Sequence, residues 1–304
     1  MTDATAVGEY LRARRSEVEA ALATLLPGPP DCSATLADAM RYSLTAGGKR
    51  LRPVLCLASA EAVGGSTAAA LSAACAIELI HTYSLVHDDL PAMDDDSMRR
   101  GRPTLHVVAG EGMAILAGDG LLTEAFHVLA RMQGEPARVL RAIQVIAAAA
   151  GPIGMVGGQA IDLACVTPDP QGHTAPPLDA DGLAVMHAKK TGALIRASAV
   201  AGAVLGGGTD AQVTAIDAAA AEFGLAFQIV DDILDVEGDA AKLGKSTGKD
   251  AAAGKPTYPA FFGLATSRSM ADACIERAAG TLAAAGMANS WLLGIGRWIV
   301  ERTS

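Results

Sequence analysis

Long apolar stretches separated by short polar breaks follow one another along almost the whole chain. They cover residues 34–46, 51–63, 67–90, 112–132, 137–151, 153–165, 179–205, 210–236 and 257–266, with a further helical tail near 269–302. Two segments within them, 71–86 and 215–230, are apolar on nearly all sides, which is typical of helices at the centre of a bundle. No boundary rich in Pro, Gly or Ser divides the chain, so the pattern predicts one domain over residues 1–304.

Three polar stretches interrupt this pattern. Residues 166–182 contain four prolines and predict a surface loop. Residues 94–105 and 237–256 are charged, contain glycine and each directly follow an aspartate cluster. Loops of this kind beside a site often close over it.

Composition favours an all-α fold. Aromatic residues make up only 4% of the chain, and alanine, the best helix former, dominates the apolar stretches. The residues that strands favour are correspondingly sparse. The stretch 145–158 is apolar but short and contains Pro152, so we interpret it as buried core and expect no membrane span.

Charge and cysteine usage limit the classes of binding partner and the cellular compartment that we expect for the protein. The net charge of −9 argues against a nucleic-acid-binding surface. The five cysteines are odd in number, widely spaced and contain no CxxC motif, which indicates reduced packing residues in a cytoplasmic protein. The N-terminal 20 residues are polar and charged, unlike a signal peptide.

Two aspartate clusters end two of the most apolar stretches, at 88–96 (DDLPAMDDD) and 231–235 (DDILD). Carboxylates at the C-terminal end of a helix are disfavoured by its dipole, and clustered like charges add to the cost. Oxygen-only sites of this kind favour a hard cation such as Mg²⁺, which completes its shell with phosphate oxygens and water. The clusters therefore predict metal-dependent diphosphate chemistry.

The spacing within each cluster predicts its geometry. Asp231 and Asp235 are four residues apart and share one helix face, whereas Asp232 points about 100° away. Asp88 and Asp94 are six apart and would not share a face in a straight helix. The proline between them, at position 91, removes a helical hydrogen bond and could bring the two carboxylates together.

A basic turn, 47-GGKRLRP-53, precedes both clusters. Its two glycines leave backbone N–H groups free, and Lys49 and Arg52 lie three residues apart on one face, which suits a polyanion. Arg99 and Arg100 could donate to further phosphate oxygens. His81 lies two helical turns before the first cluster and on the same face as its first aspartate.

Taken together, these motifs resemble the trans-isoprenyl diphosphate synthases. The resemblance runs in order from about residue 40 to 262 and includes GGQAIDL, KKTGALI, FGLAFQIVDDILD and LGKSTGKD besides the segments above. It implies an all-α bundle of the isoprenoid synthase type around a central cavity, usually a homodimer. It also implies the condensation of isopentenyl diphosphate with an allylic diphosphate, and among these enzymes the motifs are most similar to those of the bacterial farnesyl-forming ones.

The resemblance assigns roles to individual residues. Asp88, Asp94 and Asp231, helped by Asp89 and Asp235, would hold about three Mg²⁺ on the allylic diphosphate. The isopentenyl diphosphate pocket would be formed by Lys49, Arg52, His81 and Arg100. The groups around the allylic substrate would be Arg99, Lys190, Thr191, Gln228, Lys245 and Lys255, of which Lys190, Thr191 and Gln228 would act in catalysis.

Product length is assigned to Tyr83 by the same resemblance. It lies five residues before Asp88, about 7.5 Å along the helix, although a straight helix would turn it about 140° away. In farnesyl-forming enzymes an aromatic residue at this offset floors the pocket, with a small residue such as Ser84 beside it. Tyr83 could otherwise be an ordinary core residue.

Two departures and several alternatives accompany this interpretation. Val230 stands where related enzymes often carry a polar residue, and Pro256 follows Lys255 where serine is expected. Synthases of geranyl, geranylgeranyl or longer chains are alternatives within the class. A terpene cyclase would need only one diphosphate site, a regulatory subunit would be expected to lose motif aspartates, and a structural bundle would bind no diphosphate.

Overall fold

The computed structural model describes residues 4–166, 172–173, 175–237 and 256–302. In its first half the elements are α1 (Ala4–Ala23), α2 (Ala34–Leu44), α3 (Leu51–Ala62), α4 (Thr67–Asp88), β1 (Met98–Arg99), β2 (Arg102–Pro103), α5 (Leu105–Ala109), α6 (Glu111–Ala130) and α7 (Pro136–Ala150). They are followed by α8 (Met155–Val166), α9 (Ala180–His187), a π-helical segment (Ala188–Gly192), α10 (Ala193–Leu205), α11 (Asp210–Glu237), α12 (Tyr258–Phe262), α13 (Leu264–Ala284) and α14 (Trp291–Glu301).

The predicted all-α class is confirmed, and most apolar stretches coincide with helices to within a few residues. Local chemistry sets several helix starts. Ser33 and Asp179 accept hydrogen bonds from backbone N–H groups in the first turns of α2 and α9. Glu135 caps α7 in the same way, with Pro136 at its first position.

Three parts of the chain differ from the pattern-based expectation. Helix α1 lies before the first predicted helix, in a segment whose charged residues obscure its apolar face. The segment 257–266 is divided by Gly263, whose positive φ of 78° ends α12 before α13 begins. The expected loop at 94–105 contains a two-stranded antiparallel hairpin, β1–β2, turned by Arg100 and Gly101 at positive φ.

Helix α4 lies at the centre of the bundle. It packs against α3, α6 and α10, and its buried face includes alanines that allow these neighbours to approach closely. One group of buried apolar residues joins α4 to α2, α6 and α7, and a second joins α11 to α13 and α14. Helices α3 and α10 contribute to both groups and therefore form the seam of the bundle.

Glycine makes that seam possible. A Cβ atom at Gly202 in α10 would lie 1.9 Å from the backbone oxygen of Cys56 in α3. A Cβ atom at Gly65, just after α3, would lie 2.4 Å from the Cα of Gly206 at the end of α10. The two helices are thus in backbone contact at both places, and no larger residue fits without separating them.

Among the described residues, four helical stretches are long and apolar enough to cross a membrane by length and composition alone: Thr67–Asp88, Glu111–Ala130, Pro136–Cys165 and Asp210–Glu237. In the first, 67% of the apolar window is buried inside the bundle, so its apolar surface is already used by packing. In the second, only 33% is buried. The expected lack of a membrane span stays a prediction.

The seam generates a stability prediction. Gly202→Ala should lower the free energy of unfolding by about 1–3 kcal/mol or more, because the added methyl group meets a backbone carbonyl that cannot yield without moving a helix. Urea unfolding followed by circular dichroism measures this difference.

Gly280→Ala is the matched control. Gly280 is an exposed position of α13 with no atom within 4 Å of its added Cβ, so alanine should stabilise the helix by about 0.5–1 kcal/mol. Equal stability of the two variants would show that α3 and α10 can separate at little cost.

Candidate active site

A cavity of about 1770 Å³ opens between the carboxyl-terminal ends of α4 and α11. It brings together most of the residues that the sequence analysis selected. These are Lys49, Arg52, His81, Tyr83, Asp88, Asp94, Arg99, Arg100, Lys190, Thr191, Gln228, Asp231 and Asp235. Lys245 and Lys255 lie outside the described residues.

The first acidic cluster forms where α4 ends. Its last residue is Asp88, and the chain then turns so that the N–H of Asp94 donates to the backbone oxygen of Asp88 at 2.9 Å. The turn contains Pro91, as the sequence predicted, and both carboxylates line the cavity. Burial raises the pKa of Asp88 to about 6; Lys190 opposes the rise, and the negative charges of Asp94 and Asp89 add to it.

Asp89 has a different environment. It is only 4% exposed, is absent from the cavity lining, and its Oδ1 accepts hydrogen bonds from Nε and Nη2 of Arg99, both at 2.6 Å. In this structure Asp89 holds the guanidinium of Arg99 at the cavity wall. The role of Asp89 as a metal ligand, which the resemblance implies, stays a prediction.

The second cluster lies on α11. Asp231, Asp232 and Asp235 all line the cavity. The carboxylate of Asp232 lies in the interior, where it accepts a hydrogen bond from the backbone N–H of Tyr258 at 2.9 Å.

Arg302 reaches this second cluster from the far end of the chain. Its Nη2 donates to Oδ1 of Asp231 at 2.6 Å and to the backbone oxygen of Phe227 at 2.8 Å. Its guanidinium lies over the Phe227 ring, 4.0 Å from the ring centroid. The contact of Arg302 with this cluster was not predicted from the sequence, because 71 residues separate it from Asp231 and no local motif marks it.

The basic turn also lines the cavity. Arg50 adopts the left-handed conformation (φ 52°) and starts α3, and its buried guanidinium pairs with Glu78 of α4 at 2.6 Å and donates to the backbone oxygen of Leu44 at 2.7 Å. A buried charge pair with these extra hydrogen bonds fixes the turn. Arg100, from the hairpin, donates to the backbone oxygen of Gly47.

Glycine is again required at the turn. A Cβ atom at Gly48 would lie 2.7 Å from the guanidinium of Arg100, and Gly48 also has a φ of 132°. Its positive φ favours glycine, and the missing side chain leaves room for the guanidinium of Arg100. This contact places the guanidinium of Arg100 in the same wall as Lys49.

Crowding of positive charge shapes the electrostatics of this wall. Burial lowers the pKa of Arg52 to about 10, partly offset by Glu78 and Asp231. Burial also lowers the pKa of His81 well below its ordinary value, and Arg52 and Arg100 lower it further. His81 is therefore neutral at pH 7 and lies in a pocket whose remaining groups attract an anion.

The π-helical segment presents Lys190 and Thr191 to the cavity. Such single-turn bulges are frequent at functional sites because the extra residue rotates the side chains around it. The Nζ of Lys190 donates to Asp162 of α8 at 2.5 Å. A Cβ atom at Gly158 would lie 2.1 Å from the backbone nitrogen of Lys190, so this glycine of the GGQAIDL motif lets α8 lie against the segment.

Gln228 of α11 lines the cavity near Lys190 and contacts a buried histidine. Its Nε2 lies 2.6 Å from Nδ1 of His187, the last residue of α9. Burial lowers the pKa of His187 to about 4, opposed by Asp162 and assisted by Lys190. No role was predicted for His187 from the sequence, because its partner Gln228 lies 41 residues away.

Tyr83 contributes to the apolar end of the cavity. It is 7% exposed, lines the cavity and meets the ring of His87 edge-on, with 5.8 Å between centroids. Nε2 of His87 lies 3.1 Å from the backbone oxygen of Ile115. A Cβ atom at Gly118 would lie 2.1 Å from Nε2 of His87, so Gly118 leaves the space that this ring occupies.

The cavity fits a hard divalent cation by its donor chemistry. Asp88, Asp94, Asp231 and Asp235 all line this cavity, and burial raises the pKa of Asp88 to about 6. Among the described residues, no three acidic, histidine or cysteine side chains come close enough to hold a metal ion by themselves. Mg²⁺ bound there would draw its remaining ligands from water and phosphate, as it commonly does.

The two departures noted in the sequence occupy ordinary positions. Val230 is 5% exposed and packs in the core shared by α11 and α13, where an apolar side chain is suited. Pro256 lines the cavity and is the first described residue after position 237.

Comparison with known proteins gives consistent matches. The sequence profile of the polyprenyl synthetase family matches residues 33–285. The chain is 48% identical over 278 residues to farnesyl diphosphate synthase of Geobacillus stearothermophilus, covering 90% of each. It is 47% identical over 273 residues to chloroplastic geranylgeranyl pyrophosphate synthase 11 of Arabidopsis thaliana, covering 89% of this chain and 74% of that one.

A similar solved structure is the geranyltransferase of Helicobacter pylori complexed with magnesium and isoprenyl diphosphate. It superposes with a TM-score of 0.81 at 30% sequence identity. The match covers 96% of this chain and 95% of that one.

The raised pKa of Asp88 gives a test in metal-free protein. The folded state holds the proton more tightly than the unfolded state, whose carboxyl keeps the ordinary pKa of 3.8. Burial of the ionised carboxylate therefore lowers the free energy of unfolding. The whole reduction is present above pH 6, and none of it remains below pH 3.8. Asp88→Asn removes the charge, so at pH 8 with EDTA it should be more stable than the wild type by about 1–3 kcal/mol.

Urea unfolding between pH 5 and pH 8 measures the effect, and the advantage of Asp88→Asn should shrink as the pH falls. Asp272→Asn, at an exposed position of α13, is the control and should show no such trend. A pH-independent difference for Asp88→Asn would contradict the raised pKa.

Proposed function

Because the chain belongs to the polyprenyl synthetase family, we propose that it is a magnesium-dependent transferase that makes farnesyl diphosphate. It condenses isopentenyl diphosphate with dimethylallyl and then geranyl diphosphate. That it is a transferase of the prenyl diphosphate class follows from its relatives. The metal, the individual residue roles and the product length are the proposal.

The observation that carries the proposal is that one cavity contains two sets of anion-binding groups. The first set is the carboxylates from the ends of α4 and α11, which suit a diphosphate only through bound cations. The second set is Lys49, Arg52 and Arg100, which suit a diphosphate directly. Two diphosphate sites are needed to join two substrates, whereas a cyclase needs one.

The allylic diphosphate would lie beside the carboxylates. About three Mg²⁺, held by Asp88, Asp94, Asp231 and Asp235, would supply positive charge to the departing diphosphate. Magnesium in the geranyltransferase of Helicobacter pylori supports this assignment. Arg99, held by Asp89, and Lys190, held by Asp162, are proposed to orient the same diphosphate.

The protein groups act around an ionising C–O bond. The bonding pair leaves with the diphosphate, and the oxygens of Thr191 and Gln228 would turn their negative dipole ends toward the allylic cation without attacking it. The double bond of isopentenyl diphosphate then attacks the cation. Loss of a proton to the departed diphosphate forms the new double bond, and the apolar walls keep out water that would otherwise react with the cation.

Product length is proposed to depend on Tyr83. The phenol ring lies in the cavity wall one helical turn from His87, so it can block a chain that grows along α4. Relatives named for farnesyl and for geranylgeranyl products are similarly identical to this chain, so their names do not decide between fifteen and twenty carbons. The alternative is therefore a geranylgeranyl product.

A homodimer is proposed from apolar surface on α5 and α6. Val107 and Val108 are each 54% exposed and Leu116 is 55% exposed, on two helices that pack against each other. Light scattering after size exclusion should give twice the chain mass of 30.7 kDa, and Leu116→Glu should shift it to one chain. A monomeric wild type would contradict the proposal.

A cytoplasmic location is proposed because the five cysteines are all free thiols, including the partly exposed Cys32 and Cys165. Cell fractionation tests it, and recovery from an oxidising compartment would contradict it.

The function is tested by incubating purified protein with Mg²⁺, isopentenyl diphosphate and each allylic primer, and separating the products by chromatography. Asp231→Asn should lower kcat by about 100-fold or more, because one charged metal contact is lost while the side chain keeps its shape. Asp217→Asn, outside the cavity on the same helix, is the control. Near-normal turnover of Asp231→Asn at saturating Mg²⁺ would contradict the metal assignment.

Tyr83→Ala should shift the main product from fifteen carbons to twenty or longer, because removing the ring leaves space for at least one further isoprene unit. The same chromatographic assay measures the distribution. An unchanged distribution would place the floor elsewhere, and a wild type that already makes twenty carbons would favour the geranylgeranyl alternative.

A further inference from the structure

His187 lines the cavity beside Gln228, and the proposed reaction assigns it no role. It is 8% exposed, and its ring stacks on Tyr258 with 5.9 Å between centroids and 28° between planes. Its Nδ1 lies 2.6 Å from Nε2 of Gln228. Its other nitrogen, Nε2, is buried, forms no hydrogen bond with the described residues and lies 3.9 Å from Oδ2 of Asp232.

These contacts determine the protonation of the ring. The amide of Gln228 is placed with its nitrogen, which can only donate, toward the ring, so in this arrangement Nδ1 of His187 is the acceptor and carries no proton. The proton of the neutral imidazole is then on Nε2, which faces the carboxylate of Asp232. In a cationic ring Nδ1 would also carry a proton, which would face the N–H donor of the Gln228 amide. Burial also disfavours the charged ring.

The same hydrogen bond determines the orientation of Gln228. An amide group has one nitrogen and one oxygen, so anchoring the nitrogen on His187 fixes where the oxygen lies. Without the acceptor, the amide could rotate and turn its nitrogen, the positive end of its dipole, toward the site. Only the oxygen would stabilise an allylic cation.

We propose that His187 is a positioning residue that holds the amide of Gln228 so that its oxygen, not its nitrogen, is available to the allylic cation. This inference rests on the proposed function. Tyr258 and Asp232 complete the arrangement, since Tyr258 stacks on the ring and its backbone N–H binds the carboxylate that faces Nε2.

Two substitutions of His187 test separately its hydrogen-bond acceptor and the shape of its ring. His187→Phe keeps an aromatic ring against Tyr258 but has no acceptor, whereas His187→Asn loses the ring and can place an amide oxygen near the position of Nδ1. His187→Phe should lower kcat by roughly 10- to 100-fold with the KM of both substrates within about twofold, and His187→Asn should recover most of kcat. His127→Asn, at an exposed position of α6, is the control.

A double-mutant cycle tests the route of the effect. Gln228→Ala alone should lower kcat, and adding His187→Phe to it should cause no further loss, because His187 acts only through the amide. Independent losses that multiply would overturn the proposal. So would a His187→Phe enzyme with kcat within about twofold of the wild type.

The tautomer is measured on the wild-type protein, and one variant is needed only to assign the signal. Nitrogen-15 spectra of the six histidines, with His187 assigned by its absence in either variant, should show an unprotonated Nδ1 and a protonated Nε2. A proton on Nδ1 would overturn the positioning role even in an active synthase. An inactive wild type would instead overturn the proposed function, so the two failures are distinguishable, and the spectra decide the hydrogen bond even if His187→Phe fails to fold.

Discussion

Repulsion between carboxylates is the interaction on which the rest of the structure depends. Two helices end in aspartates that line a single cavity, at helix ends where negative charge is already disfavoured. The protein offsets part of this cost with cations from distant elements. Arg99 pairs with Asp89 at 2.6 Å, and Arg302 pairs with Asp231 at 2.6 Å.

Several of the ion pairs around the cavity do more than neutralise charge, because they join elements far apart in sequence. Arg302 ties the end of α14 to α11, and Lys190 ties the π-helical segment to Asp162 of α8. Glu78 and Arg50 join α4 to the basic turn. The charge distribution thus builds the walls of the cavity, while the glycine contacts of α3 and α10 set how closely the two halves of the bundle approach.

The parts that the sequence predicted are those determined locally. Apolar stretches gave the main helices, and the spacing of Asp231 and Asp235 gave their common side, because both depend on helical periodicity alone. Asp89 was assigned to the metal by the resemblance, which stays a prediction, and the structure adds that Arg99, ten residues along the chain, binds its carboxylate. Spacing carries no information about such a partner.

Other features that were not predicted also depend on distant residues, or are too short to produce a recognisable sequence pattern. Arg302 and His187 gain their roles from residues 71 and 41 positions away. The hairpin at residues 98–103 has strands of two residues each, too short for an alternating pattern. The π-helical segment is a single extra residue within a helical run, so apolar periodicity continues through it with little change.

That π-helical segment limits how far the protein can be stabilised by design. A regular helix over residues 188–192 would have better backbone hydrogen bonding, so an optimisation guided only by folding stability would favour removing the bulge. Doing so would rotate Lys190 and Thr191 relative to the cavity by roughly 100°, the angle of one helical residue. Heat-tolerant variants should therefore be sought in exposed helices such as α13, because regularising this segment would exchange activity for stability.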